Sequence, residues 1–69
     1  MKQKELSYIE DAIGHEKNII SICQNIASNL QEETLKSFIE SEVEKHTETQ
    51  NKLVHLLEVK SNEWSNTYG

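Results

Sequence analysis

Three polar residues interrupt an otherwise apolar helical pattern, and their chemistry suits either a metal site or a buried ion pair. They are Glu16, Glu42 and His46. Glu42 and His46 are four residues apart and therefore share one helix face. If the chain turns near residues 30–31, a rise of ~1.5 Å per residue places Glu16 level with about residue 45, and the three side chains fall within ~5 Å of one level. The pattern predicts one polar layer between apolar layers.

Two uses of this layer remain open. Carboxylate oxygens and an imidazole are donors for iron, manganese or zinc, so Glu16, Glu42 and His46 are candidate metal ligands. In the other interpretation no cofactor is required, and Glu16 pairs with His46 or Lys45 to set the register of the helices. A different helical phase would instead leave the three residues at the edge of the solvent.

The elements that position these residues are two helices. The chain has no Pro, and its two Gly are Gly14 and Gly69. Apolar residues recur at spacings of four and three in both halves, which is typical of amphipathic helices. Small polar residues at 28–29, followed by acidic residues, indicate a break. The sequence predicts an all-α antiparallel hairpin with helices at about 5–29 and 32–60.

One domain, residues 1–60, and a polar, flexible tail, residues 61–69, account for the whole chain. Trp64 or Tyr68 in this tail is expected to pack on the bundle or on a partner. A chain of 69 residues buries little core by itself, and its single cysteine, Cys23, excludes an internal disulfide. Something outside the chain, a metal or a partner, is expected to complete the fold.

The apolar stripes are too wide for one helix–helix contact, so the pattern predicts a homodimer or a higher oligomer. Two hairpins would form a four-helix bundle around a twofold axis. The residues predicted to form the shared core and dimer stripe are Ile9, Ile13, Ile20, Cys23, Ile26, Leu35, Ile39, Leu53 and Leu56. If the twofold axis passes near the middle of the helices, two copies of the polar layer converge there.

Composition excludes several other classes of function. The net charge is −5 and Arg is absent, so neither a nucleic acid nor an anionic membrane is an expected partner. No signal-peptide pattern is present, and an intracellular, cytoplasmic location is expected. There is no nucleophile elbow, phosphate loop or paired-cysteine motif, so we expect a protein that is not an enzyme.

Short segments of the chain resemble small ferritin-like proteins, most closely those of the spore coat protein F type. The first is YIEDAIGHEK, residues 8–17, the second is QEETLKSFI, residues 31–39, and the third is Glu44-Lys45-His46. The resemblance spans about residues 6–58 and extends more distantly to rubrerythrin-like proteins. It implies a ferritin-like bundle with a structural role in the spore coat. Metal-binding relatives would use Glu16 and His46, while their second-helix Glu falls on Val43.

Three functions follow as expectations. The first is a non-enzymatic, homo-oligomeric protein of structural, coat or interaction type. The second is a metal-binding ferritin-like oligomer that holds iron, manganese or zinc through Glu16, Glu42 and His46. The third is an adaptor that offers its apolar stripe to a helix of another protein.

Overall fold

The computed structural model is an antiparallel hairpin of two α-helices, and it describes the backbone of residues 2–68 and the side chains of residues 3–63. Helix α1 spans Lys2–Asn29 and helix α2 spans Glu33–Tyr68. No strand occurs among residues 2–68. The predicted all-α hairpin is therefore confirmed, including the end of the first helix at residue 29.

Side chains close the carboxyl end of α1. The Ser28 hydroxyl and the Asn29 amide both donate to the carbonyl oxygen of Asn25, at 2.8 and 2.9 Å. The backbone N–H of Leu30 donates to the carbonyl of Ala27 at 3.3 Å, a tighter last turn. The Leu30 bond occupies a carbonyl group that the helix end leaves without a partner. The Ser28 and Asn29 side chains bond back to the preceding turn, as small polar residues commonly do.

Glu32 caps the amino end of α2. Its carboxylate accepts hydrogen bonds from the backbone N–H groups of Thr34 and Leu35, at 2.9 and 3.2 Å. These bonds satisfy donors that have no partner within the helix. They hold the pKa of Glu32 below its ordinary value, with the Thr34 bond the larger cause. Because Glu32 serves as the cap, α2 begins at Glu33, one residue later than predicted.

Helix α2 continues beyond its predicted end at about residue 60. The segment 61–69, expected as a flexible tail, is helical through Tyr68. It contains no Pro and no Gly before Gly69, and Lys60 pairs with Glu63 at 3.4 Å across one turn. Nothing in this segment stops a helix, because polar residues alone do not. The expected packing of Trp64 and Tyr68 falls outside the side chains that the structure describes.

One line of contact joins the helices, and its side chains are half-buried or buried. We call this line the seam. Its members follow alternating spacings of three and four, as expected for helices packed with a small crossing angle. On α1 they are Leu6, Ile9, Ile13, Glu16, Ile20, Cys23 and Ala27, followed by Leu30 in the turn, and on α2 they are Lys36, Ile39, Val43, His46, Gln50, Leu53 and Leu57.

A second line on each helix, the outer stripe, has the same spacing and carries most of the exposed apolar side chains, although its middle on α2 is polar. On α1 it comprises Tyr8, Ala12, His15, Ile19, Ile22 and Ile26, and on α2 it comprises Leu35, Phe38, Glu42, Lys45, Thr49, Lys52, Leu56 and Val59. Of the eight exposed large apolar side chains among residues 3–63, seven belong to the outer stripe. Val54 is the exception. The exposed apolar surface is therefore concentrated on the outer stripe.

The hairpin has almost no interior. Its extents are 54 × 15 × 12 Å, the thickness of a single pair of helices. Among residues 3–63, only Ala27 is buried, at 6% exposure. Two helices bury one side of their apolar surface against each other and leave the rest in water. Within the described residues, neither helix has a stretch long and apolar enough to cross a membrane.

Candidate functional site

Glu16 and His46 meet across the seam. The distance from Glu16 Oε1 to His46 Nδ1 is 2.6 Å, so residues 16 and 46 lie level with each other in the hairpin. An ionised carboxylate only accepts hydrogen bonds, so Nδ1 carries the shared proton when Glu16 is charged. The sequence placed Glu16 level with about residue 45, and the structure places it opposite residue 46. The predicted pairing of Glu16 with His46 is confirmed.

Glu42 lies on the other side of the same imidazole ring. Its Oε1 is 4.0 Å from His46 Nε2, which is too long for a hydrogen bond. Its Oε2 lies 3.4 Å from the Nζ of Lys45, an exposed side chain on the same helix. The three predicted residues are therefore neighbours, with the ring between the two carboxylates. The carboxylates face different ring nitrogens.

The cluster is partly covered by apolar neighbours. Side-chain exposure is 17% for Glu16 and 30% for each of His46 and Glu42. One turn away along the seam, Ile13 and Ile20 flank Glu16. Such a partly dry setting strengthens a charge-assisted hydrogen bond, because less water competes for the same atoms. The arrangement is thus a polar layer within an apolar seam.

The donor set partly fits a metal ion. Glu16 orients the ring through Nδ1, as partners of metal-binding histidines commonly do. His46 Nε2 and the Glu42 carboxylate then provide two donors that face each other. Two ligands do not complete a site, and among the described residues no group of three or more His, Cys, Asp or Glu side chains is arranged to hold a metal. A complete site would need ligands from another chain.

The other predicted stripe residues divide into two sets. Ile9, Ile13, Ile20, Cys23, Ile39 and Leu53 lie in the seam. Ile26, Leu35 and Leu56 lie outside it, exposed, on the outer stripe. On α2 the seam instead passes through Val43, Gln50 and Leu57. The predicted stripe thus divides into residues of the hairpin contact and residues of the exposed outer stripe, and the polar Lys36 and Gln50 of the seam gave no apolar signal in the sequence.

Gly14 does not serve a close contact within the hairpin. A Cβ added at this position would have no atom within 4 Å apart from its own helix backbone and chain neighbours. Its side of α1 faces away from the outer stripe, toward polar residues such as Lys17 and Ser21. Gly14 is therefore a tolerated weak point of the helix rather than part of the cluster.

No protein-family model matches this chain, and no curated protein and no solved structure matches it either. The ferritin-like resemblance of the short segments remains a prediction.

Proposed function

We propose that this chain is a non-enzymatic association module, a helical hairpin that completes its core against a second copy of itself. The support comes from burial. Ala27 is the one buried residue among residues 3–63, whereas Phe38, Tyr8 and Ile22 are 61%, 60% and 59% exposed. Monomeric proteins rarely expose large contiguous apolar patches, and such patches are typical of interaction surfaces.

The energetics favour association. Each Å² of apolar surface removed from water contributes about 25 cal/mol, so a face as broad as two helices can offset the entropy of joining two chains. A second hairpin offers a matching face of the same length, which gives a four-helix bundle with closed symmetry. A structural role of the coat type, as the ferritin-like resemblance implies, fits such an oligomer.

The test is the oligomeric state of the unmodified chain at micromolar concentration. Sedimentation equilibrium should give a dimer or a higher oligomer. Leu56→Ser should weaken this association. Val54→Ser is the matched control, because Val54 is two residues away, similarly exposed at 37% against 40%, and lies off the outer stripe. A well-folded monomer would refute the proposal, and assembly only with a helix of another protein would support the adaptor function instead.

A second candidate function is metal binding by the oligomer. It is favoured by one observation, the position of His46 between Glu16 and Glu42. Two chains would supply four carboxylates and two imidazoles, donors that suit iron, manganese or zinc. In this function Glu42 and His46 bind the ion, and Glu16 orients the ring. The bound ion would neutralise and cross-link the polar layer.

Titration of the chelator-treated protein with Zn²⁺, Mn²⁺ or Fe²⁺ tests this candidate. Binding should raise the melting temperature, and elemental analysis after gel filtration should find metal in a fixed ratio to chains. Glu42→Gln should abolish both effects, while Glu40→Gln, an exposed residue on the same helix, should leave them unchanged. No retained metal and no change in melting temperature would remove this candidate and leave the association function intact.

A further inference from the structure

The outer stripes of the two helices form one continuous face. On each helix, outer-stripe residues lie one position before seam residues, as Ile19 precedes Ile20 and Phe38 precedes Ile39. The stripe therefore lies on the same rotational side of the seam in both helices. Because the helices are antiparallel, equal rotation brings both stripes to the same side of the hairpin.

The opposite side of the hairpin confirms this geometry. A shallow groove there is lined by Gln24 and Ser28 of α1 and by Glu40 and Glu44 of α2. Polar residues of both helices thus share one face, which leaves the outer stripes to share the other. One face of the hairpin carries the exposed apolar residues of both outer stripes, with a polar middle on α2, and the reverse face is polar apart from Val54 and Gly14.

Two symmetric arrangements bring two such faces together. In one, the turns lie at the same end, and each α2 lies over the partner's α1. In the other, the turns lie at opposite ends, and each α2 lies antiparallel over the partner's α2. Both are twofold and isologous, so the same face is used by each copy. The residues of the outer stripe decide between them.

The outer stripe of α2 is symmetric about residue 47. Leu35 and Val59 each lie twelve residues from this point, and Phe38 and Leu56 each lie nine residues from it. Antiparallel pairing around residue 47 therefore sets Leu35 against the partner's Val59 and Phe38 against the partner's Leu56. Both ends of the stripe become apolar contacts.

The charged middle of the stripe has the same symmetry. Glu42 and Lys52 each lie five residues from residue 47, so antiparallel pairing sets Glu42 against the partner's Lys52. Lys45 falls opposite the partner's Thr49, which is polar and uncharged. With the turns at the same end, Glu42 and Lys45 would keep only their own pair, and Lys52 would lie level with residue 10 of the partner's α1, between Tyr8 and Ala12 of that outer stripe, which offers it no opposite charge.

The α1 helices agree with this choice. The Glu16–His46 pair places residue 47 level with residue 15. A twofold axis at that level sets Tyr8 against the partner's Ile22 and Ala12 close to the partner's Ile19. His15 then lies against the partner's His15. The register of the hairpin and the symmetry of α2 thus give one consistent bundle.

We infer that two copies pair through their outer stripes with the turns at opposite ends, held in register by Glu42 and the partner's Lys52. This inference rests on the proposed self-association and adds its surface, direction and register. Opposite charges at such flanking positions set the orientation of paired helices. The partner is a second copy of this chain.

A spin-label distance distinguishes the two arrangements. Gln31 lies in the turn, and the label is placed there as Gln31→Cys in a Cys23→Ala background of the full chain. With the turns at opposite ends, the two labels are about 48 Å apart along the bundle. With the turns at the same end, they are about 10–20 Å apart. Sedimentation equilibrium on the same labelled sample establishes whether a dimer is present.

Charge reversal tests the register. In metal-free buffer, Glu42→Lys should raise the dimer dissociation constant by about tenfold, since it replaces two attractive pairs with two repulsive ones. The double variant Glu42→Lys/Lys52→Glu should return it to within about threefold of the parent. The rescue is intermolecular, because Lys52 lies ten residues from Glu42 on the same helix. Glu40→Lys, on the polar face, is the control with the same change in charge.

The outcomes distinguish self-association from the proposed arrangement of the dimer. A dimer with the long distance and charge rescue supports the inference. A dimer with the short distance, or without rescue, overturns the inference and leaves self-association standing. A monomer overturns both. If the label disturbs folding, circular dichroism shows it, and the charge-reversal series alone decides, since its substitutions are at exposed or half-exposed positions.

Discussion

Two replacements of Glu16 should show whether its bond to His46 stabilises the hairpin more than an apolar side chain at the same position would. Glu16→Ala removes the 2.6 Å bond to His46. A hydrogen bond to a charged group contributes about 1.5–3 kcal/mol. Since His46 is 30% exposed and water can replace part of the lost bond, we expect a loss of about 1–2 kcal/mol per chain. For a domain of this size, that lowers the melting temperature by about 5–15 °C.

Glu16→Leu should behave differently from Glu16→Ala. The leucine side chain would enter the seam between Ile13 and Ile20. Burying it contributes about 1.5–3 kcal/mol, which offsets the lost hydrogen bond. His46 is 30% exposed, so in the Leu variant its ring can bond to water in place of Glu16. We therefore expect the Leu variant to range from equal to the parent to about 2 kcal/mol more stable.

The measurement is urea unfolding followed by circular dichroism, at one chain concentration and with a chelator present. Fixed concentration matters, because the stability of an oligomer depends on it. His46→Leu and the double variant Glu16→Leu/His46→Leu complete a double-mutant cycle that isolates the pair's own interaction. If Glu16→Leu proved less stable than Glu16→Ala, the layer would not be a replaceable polar pair, and the reasoning would be refuted.

Three further changes test other parts of the hairpin. Gly14→Ala should stabilise by about 0.5–1 kcal/mol in thermal unfolding, since the added methyl meets open space; a destabilised variant would show that this position touches a partner. Glu32→Ala should lower the melting temperature at pH 7 by removal of the cap. Because the folded pKa of Glu32 is lowered, its contribution is complete above the unfolded pKa and is lost as pH falls through the folded pKa, so the two proteins should converge in acid; a pH-independent difference would contradict this role. Phe38→Ser should shift sedimentation toward monomer, whereas Ser37→Ala on the polar face should not; equal effects would contradict the assignment of the faces.

Sequence reasoning identified the elements of the fold because their signals are local. Polar residues at 28–29 and the acidic residues after them mark the turn, and the structure ends α1 at Asn29. The pairing of Glu16 with His46 could also be predicted, since helix rise and the turn position fix which residues are level. The end of α2 could not be predicted, because a polar segment without Gly or Pro gives no stop signal.

The exact face of contact was harder to predict, for a physical reason. Periodicity locates the centre of an apolar stripe, and on α2 that centre runs through Leu35, Ile39, Glu42, His46 and Thr49. Two helices touch along one edge of a wide stripe rather than along its centre. The contact within the hairpin is therefore displaced to Val43 and Gln50, where the polar glutamine gives no signal.

The displacement of the seam is itself an argument about assembly. A helix that packs against one neighbour needs one narrow stripe, and its centre then coincides with the contact. In α2 the contact lies at one edge, and the exposed Leu35, Phe38 and Leu56 lie at the other. An apolar stripe that meets a neighbouring helix along only one of its edges is the pattern expected of a helix that packs against two neighbours. Within a single hairpin α2 has one, which is why we propose that the second comes from another chain; the centre of the stripe, with Glu42 and His46, would then face the middle of the bundle.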